Sequence, residues 1–204
     1  MNSPRPVSLL IRVLSLAALS LMISAGSSRA GLLGIDGNNV LHDINTTNGT
    51  PTNPRTVGNK VNMIAMSPSG TLYGVSQGFP SDFPPGGNLY TINVLNGFPT
   101  FVATLDTFVV VEGDIAFDPT GNELYAMDSQ GFLFKINTTT GAGTPVGTVP
   151  GNLDLSAMAF DAAGNLWVPD SFALDLHKIN KTNAAIITTV PLDPVNQEVG
   201  GLAF

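Results

Sequence analysis

Three aspartates at equivalent places in a repeated pattern are the residues whose type and spacing best suit chemistry. Asp36, Asp128 and Asp170 each end a short apolar segment, and Ser76 ends a fourth. If the segments surround an axis, the three carboxylates converge near its mouth, and converging oxygen ligands suit a hard cation such as Ca²⁺. Aspartates at such places also form caps, because their side chains accept hydrogen bonds from local backbone N–H groups. The sequence leaves a calcium site and a set of turn caps open.

The other groups that carry catalysis are few. His42 and His177 occupy the repeat position that Tyr90 and Phe134 fill elsewhere, so they are interpreted as core rings and not as a metal pair. The chain has no cysteine, no Gly-x-Ser-x-Gly nucleophile motif and no His-Glu-x-x-His metal motif. Only the three aspartates remain for a metal-assisted hydrolase or lactonase.

The elements that position these residues come from an internal repeat of about 44 residues. Four short apolar strands recur in each unit. The isoleucine of one strand recurs at Ile44, Ile92, Ile136 and Ile179, and the alanine of another at Ala65, Ala116, Ala159 and Ala203. Four short strands at this period are typical of β-propeller blades. The sequence therefore predicts an all-β propeller of four four-stranded blades, with an antiparallel sandwich or a β-solenoid as the competing folds.

One segment shows the turn chemistry as well as the strands. Ile115–Asp128 reads Ile-Ala-Phe-Asp-Pro-Thr-Gly-Asn-Glu-Leu-Tyr-Ala-Met-Asp, in which Asp, Pro and Gly are typical turn residues between two strands. The segment resembles the unit of NHL- and YVTN-type propellers and related secreted bacterial repeat proteins. The resemblance implies that the Ile-Ala-Phe strand is the innermost strand, A, followed outward by B, C and D. It specifies an architecture and no activity.

The phase of the repeat raises the question of ring closure. The blades are predicted at 31–66, 67–117, 118–160 and 161–204, so the first begins on a B strand and residues 201–204 repeat an A strand. Either this last strand pairs with the first B strand and closes a four-bladed ring, or the chain is a fragment of a larger propeller. Propellers of the resembling group usually have six to eight blades.

Residues 1–30 have the features of a secretory signal peptide. Arg5 and Arg12 precede an apolar run over 13–23, and Ser28-Arg29-Ala30 is an acceptable cleavage signal. An uncleaved anchor helix is the alternative, although the run is about half the length of a membrane span. We expect a secreted, periplasmic or extracellular bacterial protein with no membrane span once the signal is removed.

The charge of the remaining chain is strongly acidic. All fifteen acidic residues follow residue 30, whereas three of the eight basic residues (Arg5, Arg12 and Arg29) precede it, which leaves five basic residues and a net charge of −10 for 31–204. Five basic residues are too few to neutralise a phosphate backbone in so acidic a chain. No nucleic-acid partner is therefore expected.

Binding is predicted on one face of the propeller. The A–B and C–D turns of one face are nearly uniform, whereas the B–C and D–A loops of the other vary in length and content. Variable loops on a rigid scaffold are where binding is usually placed. The predicted ligand-binding residues are Phe79, Asp82, Phe83, Glu112, Asp114, Asp170 and Phe172.

Three functions follow, in order of preference. The first is an exported propeller that binds a protein, a glycan or a surface polymer without a cofactor. The second is a hydrolase or lactonase with a metal, such as calcium, at Asp36, Asp128 and Asp170. The third is a structural envelope protein in which the blades act as spacers.

Overall fold

The chain folds into antiparallel β-strands. The computed structural model describes residues 32–59, 61–76, 87–106, 113–128, 130–151, 154–155, 157–192 and 202. Within these ranges there are strands and turns but no helix. The strands are β1 Leu32–Ile35, β2 Val40–Ile44, β3 Pro51–Thr56, β4 Val61–Met66, β5 Leu72–Ser76, β6 Asn88–Ile92, β7 Pro99–Thr104, β8 Gly113–Asp118, β9 Glu123–Asp128, β10 Phe132–Ile136, β11 Gly143–Thr148, β12 Ala159–Phe160, β13 Leu166–Asp170, β14 Asp175–Ile179 and β15 Ile186–Pro191.

The strands form the four blades of a propeller. Blades 2, 3 and 4 are four-stranded sheets in the orders β4-β5-β6-β7, β8-β9-β10-β11 and β12-β13-β14-β15, and blade 1 is the sheet β1-β2-β3. The inner strands β4, β8 and β12 contact one another in succession, and β1 contacts β4. The all-β propeller prediction is confirmed. The strand predicted at 201–204 lies outside the described residues apart from Leu202, which belongs to no strand.

Apolar side chains that alternate along the strands are buried between consecutive blades. Because successive side chains of a strand point to opposite sides of its sheet, blades 2 and 3 contribute to the core on both of their faces. One cluster lies between blades 1 and 2, another between blades 2 and 3, and a third between blades 3 and 4. Tyr125 of β9 is fully buried, and its ring packs against Phe160 of the next blade.

The C–D turns repeat one local design. In the first blade, the side chain of Asn45 accepts a hydrogen bond from the N–H of Thr47, and the N–H of Gly49 donates to the carbonyl of Asn45. Gly49 has a φ of 72°, which favours glycine. The other blades repeat this design at Asn93, Asn137 and Asn180. Asparagine recurs at this position because its side chain closes the turn.

The A–B turns follow the prediction with one exception. Gly70 and Gly164 supply the positive φ that the turn needs, as the sequence indicates. In blade 3 it is Asn122, with a φ of 51°, and not Gly121, that adopts this conformation. Asparagine tolerates the left-handed region, so the turn shifts by one residue without a large penalty.

No helix in the described part of the chain is long and apolar enough to cross a membrane. The predicted signal peptide, residues 1–30, lies outside the described residues.

Candidate functional site: the loop face

The candidate site is the face formed by the B–C turns and the D–A connections, called the loop face below. Of the seven residues predicted to bind a ligand there, Phe79, Asp82, Phe83 and Glu112 lie outside the described residues. Asp114, Asp170 and Phe172 are described, and all three lie on this face. They have different environments, so each is considered separately.

Asp170 holds two loops of the loop face together. It ends β13 and its side chain is 1% exposed. Its Oδ1 accepts hydrogen bonds from the N–H of Asp154, at 3.2 Å, and of Phe172, at 2.9 Å. The N–H of Ser171 donates in turn to the carbonyl of Asp154. Asp170 therefore positions the B–C turn of blade 4, which carries Phe172 at 71% exposure.

Asp114 joins blade 3 to blade 4 at the innermost strand. Its Oδ2 accepts a hydrogen bond from the N–H of Met158, at 2.9 Å, and its Oδ1 accepts from the N–H of Ile115. Burial outweighs these hydrogen bonds and raises the pKa of Asp114 to about 7. A carboxyl group with this pKa is half-protonated near neutral pH.

The raised pKa of Asp114 predicts that stability falls as the pH rises. In the unfolded chain the carboxyl titrates near 3.8, so between pH 3.8 and about 7 the folded protein retains a proton that the unfolded chain releases. We expect the free energy of unfolding to fall by about 1 kcal/mol per pH unit across the upper part of this window. Urea unfolding at several pH values between 5 and 8 measures this slope.

Two variants isolate the contribution of Asp114. Asp114→Asn removes the titrating group and is expected to flatten the slope between pH 5 and 8. Asp161→Asn is the control, because hydrogen bonds from Asn165 and Trp167 lower the pKa of Asp161 to about 2, outside this window. An unchanged slope in Asp114→Asn would contradict the assignment.

Asp36 and Asp128 cap the B–C turns of blades 1 and 3. Oδ1 of Asp36 accepts from the N–H groups of Asn38 and Val40, and Oδ1 of Asp128 accepts from those of Gln130 and Phe132. The hydrogen bonds from Val40 and His42 lower the pKa of Asp36, whereas burial raises the pKa of Asp128. These contacts match the turn-cap interpretation of the sequence.

The three aspartates predicted to bind a metal do not form one cluster. In the part of the chain that the structure describes, no group of three or more His, Asp or Glu side chains is placed to hold a metal ion. The calcium site at Asp36, Asp128 and Asp170 stays a prediction, and the geometry adds no support to it. The same holds for the hydrolase or lactonase that depends on it.

The histidines pair with the aspartates of their own blades, which the sequence interpretation did not include. His42 Nε2 lies 3.1 Å from Asp36 Oδ2, and His177 Nε2 lies 3.8 Å from Asp170 Oδ2. His177 is buried and its Nδ1 forms a hydrogen bond with Thr189 Oγ1. The sequence carries no specific signal for this pairing, because Asp128 lies six residues before Phe134, which occupies the same position in blade 3.

Exposed apolar side chains lie on both faces. Phe132 and Phe172 are on the loop face, in blades 3 and 4. Leu95 and Phe98 are in the C–D turn of blade 2, on the opposite face, and Phe101 is on the outer strand β7, with its ring edge-on to Tyr90. The sequence interpretation singled out Phe172 alone among these, because exposure on a strand or in a short turn has no marker in the repeat pattern.

Fold and loop face together define a β-propeller scaffold, and solved propellers share its architecture. A virginiamycin B lyase from Staphylococcus aureus has a TM-score of 0.52 at 15% identity, over 80% of this chain and 56% of its own. A luciferin-regenerating enzyme has a TM-score of 0.52 at 17% identity, over 78% and 61%. A structure described as a nidogen/laminin complex has a TM-score of 0.55 at 13% identity, over 78% and 58%. This chain thus spans a little over half of each, and identities this low show the fold alone.

No family model matches the chain, and no curated protein matches it. The described sheets and the solved propellers show the propeller class. Membership of the NHL or YVTN type is not confirmed, because no family model matches.

Proposed function

We propose that this protein is an exported propeller scaffold that binds a protein partner through its loop face. The observation that carries the proposal is the difference between the two faces. On the opposite face, every C–D turn is closed by the same asparagine and nearly the same hydrogen bonds. On the loop face, the B–C turns follow three designs. Asp36 and Asp128 accept from the N–H groups two and four residues later. Asp170 accepts from the N–H groups of Phe172 and Asp154, and Ser76 accepts from the N–H of Asn88.

Phe172 is the described residue best placed to contact a partner. Its backbone is fixed by the buried carboxylate of Asp170, while its ring is exposed. A large aromatic ring on a rigid turn is typical of the residues that dominate binding energy in protein interfaces. Asp114 and Asp170 support this surface from beneath, so we assign them a positioning role and not direct contact.

A protein partner suits the composition and the structural relatives. The net charge of −10 for residues 31–204 disfavours nucleic acid and anionic surfaces, and it favours a partner with basic side chains around the ring of Phe172. One structural relative comes from a structure described as a nidogen/laminin complex, which supports a protein partner for this chain. Export is part of the proposal because residues 1–30 have the features of a signal peptide.

The test compares two equally exposed side chains on opposite faces. The purified chain, as wild type and as Phe172→Ala and Leu95→Ala, is immobilised and exposed to the extracellular protein fraction of the producing cells in biolayer interferometry. Leu95 is 73% exposed and Phe172 is 71% exposed, so the variants remove similar apolar surface. We expect Phe172→Ala to reduce the bound signal at least tenfold and Leu95→Ala to leave it unchanged.

Protease treatment of the fraction distinguishes the partner classes. Digestion is expected to abolish binding if the partner is a protein. A signal that survives digestion and is lost after glycosidase treatment would contradict the protein partner and point to a glycan. Equal losses in both alanine variants would contradict the choice of face.

A further inference from the structure

Each junction between blades repeats one contact at its outer edge. The C–D turn of a blade packs against the D strand of the blade before it. A Cβ placed on Gly97 would lie 3.0 Å from Cβ of Arg55, and one placed on Gly141 would lie 2.9 Å from Cβ of Ala103. At the third junction the glycine is on the strand and not in the turn. Ala184 occupies the turn position and Gly147 the strand position, and a Cβ placed on Gly147 would lie 3.3 Å from Cβ of Ala184.

The leucines at the junctions show the same repeat. On the face of each blade that meets the following blade, Leu41, Leu89 and Leu133 are fully buried. On the face that meets the preceding blade, Leu72, Leu124 and Leu166 are buried as well. Every described junction therefore joins the face that meets the following blade to the face that meets the preceding blade. These two faces are complementary, because they pack together at all three junctions.

Blade 4 presents the first of these surfaces, and none of the described strands of another blade packs against it. Leu176 stands at the position of the three buried leucines Leu41, Leu89 and Leu133 but is partly exposed. It pairs with Val190 in the sheet, as Leu41 pairs with Arg55 and Leu89 with Ala103. Val190 is 42% exposed, whereas Arg55 and Ala103 are buried.

Blade 1 presents the complementary surface, which is likewise not covered by a blade within the described part of the chain. Leu32 stands at the position of Leu72, Leu124 and Leu166 but is 47% exposed. Gly49 stands at the position of Gly97 and Gly141, and a Cβ placed there would meet nothing within 4 Å. Gly49 has the same left-handed φ as Gly97 and Gly141. At those two positions the glycine allows the turn to lie close to a D strand.

We propose that a second copy of this chain occupies these two surfaces, with blade 4 of each copy packed against blade 1 of the other. The three described junctions are the model for this contact, so the occupant is defined by continuity with an interface that the fold already uses. A head-to-tail contact of this kind closes into a ring when the rotation allows it. Two copies of the four described blades give eight, within the range of four to eight that is typical of propellers, so the expected assembly is a dimer.

Cysteine cross-linking tests the contact directly, because the chain contains no cysteine. Gly49→Cys and Val190→Cys are made as separate variants. The equivalent Cβ positions at the described junctions lie between 2.9 and 3.3 Å apart, so a small withdrawal of the turn brings the two Cβ atoms to their separation in a disulfide, about 3.5–4.5 Å. We expect a covalent dimer when the two variants are mixed and oxidised, and little dimer when either is oxidised alone. Val190→Cys mixed with Phe172→Cys is the control, because Phe172 lies on the loop face.

The mass in solution provides an independent measurement. The wild-type chain is expected at twice its monomer mass in light scattering, and Leu176→Asp and Leu32→Asp are expected at the monomer mass with unchanged circular dichroism. Both side chains are partly exposed, so the single copy should keep its fold; Leu95→Asp should stay dimeric. A monomeric or polydisperse wild type, or a Gly49→Cys/Val190→Cys double variant that cross-links within one copy, would overturn the proposal.

Discussion

Replacing Gly141 by alanine is expected to lower the free energy of unfolding by about 3 kcal/mol. A Cβ at this position would overlap the carbonyl oxygen of Thr104 and would lie 2.9 Å from Cβ of Ala103. The first of these atoms belongs to the backbone of a strand and has little freedom to move, so the turn must withdraw from blade 2. Overpacking of this kind typically costs about 1–3 kcal/mol, and the φ of 73° adds about 1 kcal/mol for any residue with a side chain.

Gly49→Ala is the matched control for Gly141→Ala. Gly49 has nearly the same φ, at 72°, in the same type of turn, but nothing in the described structure lies within 4 Å of its Cβ position. Only the backbone penalty of about 1 kcal/mol is then expected. Urea unfolding of both variants in the Leu176→Asp background removes any contribution from association between copies. Equal losses would mean that the turn of blade 3 does not pack against blade 2.

Replacing Lys181 by alanine is expected to destabilise the protein by about 2 kcal/mol. Lys181 Nζ pairs with Asp118 Oδ2, and Asp118 is 1% exposed. Burial disfavours the ionised carboxyl, but hydrogen bonds from Lys181 and Thr120 outweigh burial and lower the pKa of Asp118. Removing the ammonium leaves a buried carboxylate with hydrogen bonds from Thr120 alone. The estimate is below that for a fully buried pair because Lys181 is partly exposed.

Lys135→Ala is the control for Lys181→Ala. Both ammonium groups lie over an aromatic ring, Tyr125 for Lys135 and Phe160 for Lys181, and both pair with a carboxylate. They differ in that Glu123, the partner of Lys135, is 44% exposed. An exposed pair contributes about 0–1 kcal/mol, so unfolding by urea at neutral pH should show a small loss for Lys135→Ala. A loss as large as that of Lys181→Ala would contradict the role given to burial.

Most of the architecture could be predicted because a repeat displays it four times. The spacing of Ile44, Ile92, Ile136 and Ile179 is sufficient to predict the blades, and the asparagines of the C–D turns mark where each turn closes. The shift from Gly121 to Asn122 in blade 3 could not be predicted, since both residues tolerate a positive φ.

Contacts between blades could not be predicted, because they join residues far apart in sequence. The hydrogen bond from the N–H of Met158 to Asp114 spans 44 positions, and the pair of Lys181 with Asp118 spans 63. Asp118 recurs as Asp161, but Asp114, Met158 and Lys181 have no counterpart of the same type in the other blades, so the repeat offers no signal for either pair. The burial of Asp170 could not be predicted either, since nothing in the sequence shows that its side chain is enclosed and accepts a hydrogen bond from the N–H of Phe172.

The sequence predicts the function in less detail than the fold. The repeat constrains the residues of the turns and the core, whereas the residues of the loop face differ from blade to blade. Residues such as Phe172 are exposed on a rigid scaffold, where their chemistry affects binding and has little effect on folding. Binding through the loop face is therefore a proposal drawn from the variability and geometry of that face, and experiment has to identify the partner.

Site-specific photo-cross-linking in the producing cells tests the central claim most directly. A photoreactive phenylalanine analogue is placed at Phe172 on the loop face or at Leu95 on the opposite face, two positions of nearly equal exposure. The account predicts a discrete protein adduct from position 172 and none from position 95. An adduct from position 95 alone, or adducts of equal yield from both positions, would contradict binding through the loop face.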